Sequence, residues 1–192
     1  MYDAAVDPYC YPGTTILKNV PGLRNQAALE KFEAAITAQR SDEPLPTGRF
    51  TVKHYRAIHH HLFQDVYLWA GKFRTVRLAK SGSAFCYPEH IAREMKALFA
   101  GLKAKNRLRD LPPNGFAREA ASFLATLNAI HPFREGNGRS QLSFVALLAD
   151  DAGHPLNLAM LHTDEFLAAM VASFGGEEAP LRQALGSMIG VR

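Results

Sequence analysis

The sequence has little of several features that mark common protein classes. It contains two cysteines, Cys10 and Cys86, among 192 residues, too few for a disulfide framework and wrongly spaced for a metal site. It has no run of lysine or arginine, and 22 basic residues against 18 acidic ones give a net charge of +4. Direct binding of nucleic acid is therefore not indicated by charge.

Long hydrophobic runs are missing as well. The longest, residues 142–149 with Ser143 inside it, is too short to span a bilayer, and the first residues show no basic segment followed by an apolar core. We therefore expect no membrane association and a cytoplasmic location. Since 47% of the residues are hydrophobic and 21% are charged, the chain suits a single domain over residues 1–192 with a sizeable core.

Apolar residues recur every three to four positions along most of the chain, which predicts a series of helices. The clearest two helical segments flank residues 131–139. The apolar positions before the loop are Phe116, Ala120, Phe123, Leu124, Leu127 and Ile130, and those after it are Leu142, Val145 and Leu148. A helix is also predicted from about Thr51, with His59, His60 and His61 on it. Consecutive helical residues point about 100° apart, so the three histidines cannot share a metal, and we expect structural or surface roles.

One stretch departs from the helical period. Between Lys72 and Tyr87 the pattern is extended, with a turn at residues 81–83, and this predicts a small β-hairpin. An isolated hairpin leaves open edges, which can accept a segment of another chain by main-chain pairing. A hairpin that merely covers the core is the alternative.

Residues 131–139, His-Pro-Phe-Arg-Glu-Gly-Asn-Gly-Arg, combine the groups that phosphate chemistry requires. Gly136 and Gly138 lie where the second helix should begin, so backbone N–H groups can converge there on an anion. His131 can take a proton near neutral pH, Glu135 can hold Mg²⁺, and Arg139 can grip phosphate oxygens. The loop thus indicates a nucleotide, a divalent metal and proton abstraction from a hydroxyl. A glycine-rich turn whose histidine stabilises the helix dipole is the bland alternative.

This loop resembles the signature of the Fic (filamentation induced by cAMP) family, in which His, Phe, an acidic residue, Gly, Asn, Gly and Arg match in place. Residues 58–71 are similar to a packing motif of that family. Residues 11–19 resemble the arm of stand-alone bacterial members, including toxins paired with small antitoxins. The resemblance covers residues 11–189, with a core at about 50–175 and an N-terminal arm at about 1–24.

The resemblance implies a fold and an activity. The fold is an all-α bundle of about seven to eight helices with one small β-hairpin flap. The activity is protein adenylyltransferase (AMPylation): transfer of AMP from ATP, with Mg²⁺, to a Ser, Thr or Tyr hydroxyl of a target protein. A target protein docked on the flap and a small antitoxin are the implied partners.

The resemblance also assigns roles to residues. His131 is the catalytic base, and Glu135 holds Mg²⁺. Phe133 is expected to anchor the loop in the core on its own account, because it is an aromatic residue flanked by polar ones in a loop. The ATP phosphates are held by Gly136, Asn137 with its side-chain amide as an extra donor, Gly138 and Arg139, with Lys80 and Ser81 near the nucleotide. The flap that registers the target consists of Thr75, Val76, Arg77, Leu78, Ala79, Lys80, Ser81 and Gly82. Arg134 occupies a variable position and receives no role.

The sequence departs from the family at Leu142. Many members have a second arginine there, which contacts the γ-phosphate and pairs with an inhibitory glutamate, and leucine can do neither. The family's inhibitory pattern has its spacing at residues 173–177, but Gly175 and Gly176 disfavour a helix there. Self-inhibition within the chain is therefore not expected.

Three other functions compete with this one. A Fic-fold phosphotransferase would have lysine at the second glycine of the loop, and Gly138 argues against it. A catalytically silent Fic-fold binding protein would explain the loss of arginine at position 142, although His131, Glu135 and Arg139 are intact. A P-loop hydrolase fails because no GxxxxGK[ST] motif is present.

Overall fold

The computed structural model describes residues 7–80 and 83–190, apart from the side chains of Lys80 and Ser83. Over these residues the chain is mostly helical, as predicted, and two 3-10 turns and two very short strands accompany seven α-helices. The helices are α1 (Gln26–Asp42), α2 (Val52–Phe63), α3 (Pro88–Ala104), α4 (Pro113–Ile130), α5 (Asn137–Asp151), α6 (Thr163–Phe174) and α7 (Ala179–Met188).

Local sequence signals explain where several helices begin. The side chain of Asn25 caps α1 and accepts a hydrogen bond of 3.0 Å from the Ala28 N–H. Thr51 caps α2 in the same way. Proline opens both α3 and α4, because its missing N–H is not needed in the first turn.

The extended stretch contains less strand than the sequence predicts. Strands β1 (Ala79–Lys80) and β2 (Ser83–Ala84) pair antiparallel, with Ala79 opposite Ala84. Farther from the turn, the guanidinium of Arg74 donates to the carbonyls of Val76 and Cys86, each at 2.6 Å. Since these two carbonyls are taken by a side chain, a longer ladder of backbone hydrogen bonds does not form there.

The chain divides into two compact units, each made of two segments. The first comprises Met1–Ile91 and Pro132–Ser140, and its described core lies around α2, with the buried aromatic residues Tyr55, Phe63, Tyr67 and Phe133. In this unit α1 packs along α2. The single domain over residues 1–192 stays a prediction.

The second unit comprises Ala92–His131 and Gln141–Arg192. Helix α4 is its centre and packs against α6 and α7. The rings of Phe99, Phe123 and Phe144 form a cluster with centroids 5.4–5.6 Å apart. Among the described residues, no helix combines the length and apolar character needed to cross a membrane.

Candidate functional site

His131, the predicted base, ends α4 in an unusual backbone conformation. Its φ is +48° and its ψ is 62°, in the left-handed region that residues other than glycine seldom adopt. Its N–H donates to the Leu127 carbonyl at 3.0 Å, which closes the helix. Such strain is frequent at functional sites. His131 belongs to the second unit, and the chain passes into the first at Pro132.

The loop that follows is held by Phe133 and Asn137. The Phe133 N–H donates to the Asn137 side-chain oxygen at 3.0 Å, and the Asn137 amide donates back to the Phe133 carbonyl at 2.9 Å. Asn137 is 3% exposed. Phe133, the predicted core anchor, is fully buried. The Asn137 amide, predicted as an extra phosphate donor, is thus committed to the shape of the loop. The sequence did not indicate this pair of hydrogen bonds between Phe133 and Asn137.

Gly136 is required by both its backbone and its neighbour. Its φ is +79°, and a Cβ built there would lie 2.3 Å from Cζ of Phe63. The N–H of Gly136 donates to the Glu135 carboxylate at 2.8 Å. Gly136 therefore packs closely against the Phe63 ring, and its N–H holds the Glu135 side chain against the loop.

Gly138 differs from Gly136 although both belong to the predicted cradle. A Cβ at Gly138 would meet no heavy atom within 4 Å, so open space lies beside it. Helix α5 begins at Asn137, and the N–H groups of its first turn have no acceptors within the helix. Open space next to unpaired helical N–H groups is the arrangement that suits an anion.

Glu135 is the predicted metal ligand. Its side chain is 46% exposed, and one carboxylate oxygen lies 3.8 Å from Nη2 of Arg139. In the part of the chain that the structure describes, no group of three or more His, Cys, Asp and Glu side chains could hold a metal ion alone. A single exposed carboxylate nevertheless suits Mg²⁺, which is commonly held by one or two carboxylates together with phosphates of a substrate.

His59 supports the Glu135 backbone, which the sequence did not reveal. Its Nε2 lies 3.0 Å from the Glu135 carbonyl, and its Nδ1 accepts from the Gly71 N–H at 2.9 Å. The imidazole is completely buried, and burial lowers its pKa to about 3. The expected structural role of this histidine is therefore a specific one. His60 is exposed, and His61 contacts the Arg40 carbonyl at 2.8 Å.

Arg139, the predicted phosphate ligand, has partners on α1. Its Nη2 donates to the Glu33 carboxylate, and its Nη1 donates to the Thr37 hydroxyl at 3.1 Å. The Tyr67 hydroxyl donates to the other oxygen of Glu33. The guanidinium also lies 4.7 Å over the Phe63 ring. Burial raises the pKa of Tyr67, and the Glu33 charge adds to this, so its hydroxyl stays protonated.

Arg134, which received no role from the sequence, anchors the N-terminal arm. Its guanidinium contacts the Asp7 carboxylate at 2.9–3.0 Å, and the Asp7 side chain is only 1% exposed. Asp7 also accepts from the Tyr9 N–H at 2.9 Å. The N-terminal arm is thus tied through Asp7 to the loop itself.

The predicted flap residues lie near the arm and near Tyr87. The Thr75 N–H donates to the Tyr9 hydroxyl at 3.1 Å, and the Arg77 guanidinium lies 4.1 Å over the Tyr87 ring. Val76 and Leu78 offer carbonyls to Arg74 and to Phe85. Ala79 and Lys80 form β1, whereas Ser81 and Gly82 lie outside the described residues. The buried Arg74 also donates its backbone N–H to the Pro132 carbonyl at 2.9 Å, a link the sequence did not suggest.

Leu142 follows Arg139 by one turn of α5 and is half-buried. It presents no polar group where many members of the family in question carry arginine.

Comparison with known proteins gives a consistent result. The sequence model of the Fic/DOC family matches residues 49–149. The chain is 48% identical over 189 residues to a probable protein adenylyltransferase, y4lH, of Sinorhizobium fredii, and 98% of each chain is covered. It is 37% identical over 178 residues to the protein adenylyltransferase VbhT of Bartonella schoenbuchensis, covering 91% of this chain but 37% of VbhT.

A solved structure extends the likeness to the fold. BepC, a VirB-translocated effector protein of Bartonella tribocorum with bound AMPPNP, matches with a TM-score of 0.85 at 26% identity. The match covers 96% of this chain and 97% of BepC. The similarity therefore includes nearly the whole of the chain and is not limited to the loop.

Proposed function

Because the chain belongs to the Fic/DOC family, we propose that it is a protein adenylyltransferase, which transfers AMP from ATP to a hydroxyl side chain of a target protein. The observation that carries the proposal is the complete loop at residues 131–139, locked by Phe133 and Asn137 so that the first turn of α5 faces open space beside Gly138. Relatives named protein adenylyltransferase support it at 37–48% identity.

His131 acts as the base. The hydroxyl oxygen of the target attacks the α-phosphorus of ATP, the bond from that phosphorus to the bridging oxygen breaks, and pyrophosphate leaves. The proton of the hydroxyl passes to the imidazole of His131, which must be neutral to accept it. Holding the reacting atoms in line supplies most of the rate in such transfers.

The N–H groups at the start of α5 hold phosphate oxygens, together with Gly136 and Gly138. Arg139 neutralises the β/γ end of the triphosphate. Asn137 acts through the loop conformation, and we assign contacts with the nucleotide to Lys80 and Ser81. The roles of Lys80 and Ser81 rest on the family resemblance alone.

Glu135 is the residue that would hold Mg²⁺ through its carboxylate, and the bound ion would compensate negative charge on the phosphates. The Gly136 N–H donates to the Glu135 carboxylate, and the His59 ring contacts the Glu135 carbonyl. Both the side chain and the backbone of Glu135 are therefore oriented.

The hairpin serves as the flap on which the target protein docks, over residues 75–82. The buried guanidinium of Arg74 donates to the carbonyls of Val76 and Cys86 and so connects the two sides of the hairpin at its base. A small antitoxin partner and a cytoplasmic location remain predictions from the sequence.

Labelled ATP tests the proposal. Relative to lysate and Mg²⁺ alone, we expect addition of the protein to increase the label on protein from α-labelled ATP and not from γ-labelled ATP. His131→Ala should abolish the transfer while ATP binding and the melting temperature stay near those of the wild type, since other residues build the cradle. Transfer of γ-label would indicate a phosphotransferase instead, and ATP binding without transfer of either label would indicate a binding protein.

A further inference from the structure

His59 is a buried titratable residue for which the proposed reaction has no use. It lies on the buried side of α2 and is separated from Glu135 by 76 positions in the sequence. Both ring nitrogens have backbone partners, Gly71 on one side and Glu135 on the other. The ring therefore links α2, the turn after it and the residue proposed to bind Mg²⁺.

The partners determine which nitrogen carries the proton. The Gly71 N–H can only donate, so Nδ1 of His59 must be an acceptor without a proton. The Glu135 carbonyl can only accept, so Nε2 must carry the proton and donate it. A charged imidazole would place two N–H groups face to face at Gly71. The neutral Nε2–H form alone satisfies both contacts.

Aromatic rings fix the plane of the imidazole. The Phe133 ring lies 3.7 Å from it between centroids, and the Phe63 ring stacks at 4.7 Å with an interplanar angle of 29°. Phe63 also occupies the space that a side chain at Gly136 would need. A ring held in this way cannot rotate to follow the loop, so the Glu135 carbonyl must stay where the ring donates.

We infer that His59 is a positioning residue for Glu135: its Nε2–H holds the Glu135 backbone, and this hydrogen bond sets where the metal-binding carboxylate begins. The inference rests on the proposed function, since it takes Glu135 to be the Mg²⁺ ligand. Hydrogen bonds that orient a ligand residue commonly change metal affinity by about 10- to 100-fold when they are removed.

Two substitutions separate this role from simple core packing. The amide nitrogen of glutamine can reach the position of Nε2, so His59→Gln keeps the donor to Glu135 and loses the acceptor for Gly71. The oxygen of asparagine can reach the position of Nδ1, so His59→Asn keeps the bond to Gly71 and loses the one to Glu135. Each variant loses ring packing and one buried hydrogen bond. His60→Gln is the control at the adjacent exposed position, where the ring contacts the Ala70 carbonyl at 3.2 Å.

The measured quantity is the affinity for Mn²⁺, used as a paramagnetic substitute for Mg²⁺, of each protein bound to α,β-methylene ATP. Electron paramagnetic resonance gives the free Mn²⁺ directly, without any turnover. We expect His59→Gln and His60→Gln to stay within about twofold of the wild type and His59→Asn to bind Mn²⁺ about tenfold more weakly. Equal Mn²⁺ affinity of the Gln and Asn variants at position 59 would overturn the inference.

The assay distinguishes failure of the inference from failure of the proposed function. If the wild type labels no protein from α-labelled ATP but His59→Asn alone loses Mn²⁺ affinity, the adenylyltransferase proposal fails and the positioning role stands. If the wild type transfers AMP and both variants bind Mn²⁺ equally, the positioning role fails and the adenylyltransferase proposal stands.

Should the variants not fold, the wild type supplies the test. Nitrogen-15 spectra of labelled histidine should show that the His59 ring carries its proton on Nε2, as its contacts with Gly71 and Glu135 require. A proton on Nδ1 of His59 would overturn the inference.

Discussion

Glu33 on α1 pairs with Arg139 at the start of α5, across 106 positions of sequence. The carboxylate uses one oxygen for the guanidinium and the other for the Tyr67 hydroxyl. The positive charge of Arg139 is therefore compensated by the Glu33 carboxylate. A phosphate that binds Arg139 must share the guanidinium with Glu33 or displace it.

The first prediction follows from this pair. Glu33→Gln removes the negative charge and keeps the shape, so ATP should bind about fivefold more tightly. The reason is that a like charge a few ångströms from a phosphate costs about 1 kcal/mol even at the dielectric constant of water. Calorimetry with ATP measures it, and Glu30→Gln, at an exposed position on the same helix, is the control. Weaker ATP binding by Glu33→Gln would show that Glu33 orients Arg139 for the phosphate.

The second prediction contrasts the two glycines of the loop. Gly136→Ala should lower the free energy of unfolding by about 2–5 kcal/mol, because a left-handed backbone costs about 1–2 kcal/mol and the methyl group must displace the Phe63 ring. Gly138→Ala meets no neighbour and should leave stability unchanged or slightly higher. It should still weaken ATP binding, since its methyl group enters the proposed phosphate space. Denaturant titration and calorimetry on both variants measure these effects, and equal losses of stability would contradict the geometry.

The third prediction concerns the arm. Arg134→Ala leaves the buried Asp7 carboxylate without its counter-charge, which typically costs about 3–5 kcal/mol. Adding Asp7→Asn should restore part of the loss, because the charge that needed compensation is gone. Arg93→Ala, which breaks an exposed ion pair with Glu94, should cost less than about 1 kcal/mol. A double-mutant cycle in urea measures the coupling, and additive losses would mean that the two residues do not interact.

The fourth prediction is a pH dependence. Burial lowers the pKa of His59 from 6.5 to about 3, and the nearby charges of Arg139 and His60 act in the same direction, against the hydrogen bond to Glu135. Between about pH 3 and pH 6.5, His59 is therefore protonated in the unfolded chain and neutral in the folded chain. This contribution to stability is complete above pH 6.5 and is lost as the pH falls toward 3, by up to about 1.4 kcal/mol per pH unit.

Denaturant titrations between pH 6.5 and pH 5 measure this slope, and His59→Gln should make it shallower by up to one proton. The salt-bridged carboxyls of Asp151 and Glu119 do not interfere in this window. Arg109 lowers the pKa of Asp151, and Lys105 lowers that of Glu119, so both lose their contributions at lower pH. An unchanged slope in His59→Gln would contradict the buried neutral state.

Part of the site could be predicted because its chemistry is local. His131, Glu135 and the two glycines lie within nine consecutive residues, and their residue types alone indicate phosphate and metal. The cap at Asn25 and the anchor at Phe133 were predictable for the same reason, since each depends on neighbours a few positions away. The stretch 72–87 was predicted with too much strand because the side chain of Arg74 takes carbonyls that a ladder would use.

The sequence by itself determined the helical architecture, the family and the residues of the loop, because helical periodicity and a contiguous motif are written in neighbouring positions. The tertiary structure alone decided which distant residues hold that loop. These contacts are the ion pairs of Asp7 with Arg134 and of Glu33 with Arg139, and the hydrogen bond between His59 and the Glu135 carbonyl. The physical reason is that spacing along a helix specifies which face a side chain occupies, whereas its partner on a distant segment depends on how the segments pack. Polar groups buried by that packing must then find one another, and no local pattern records the pairs they form.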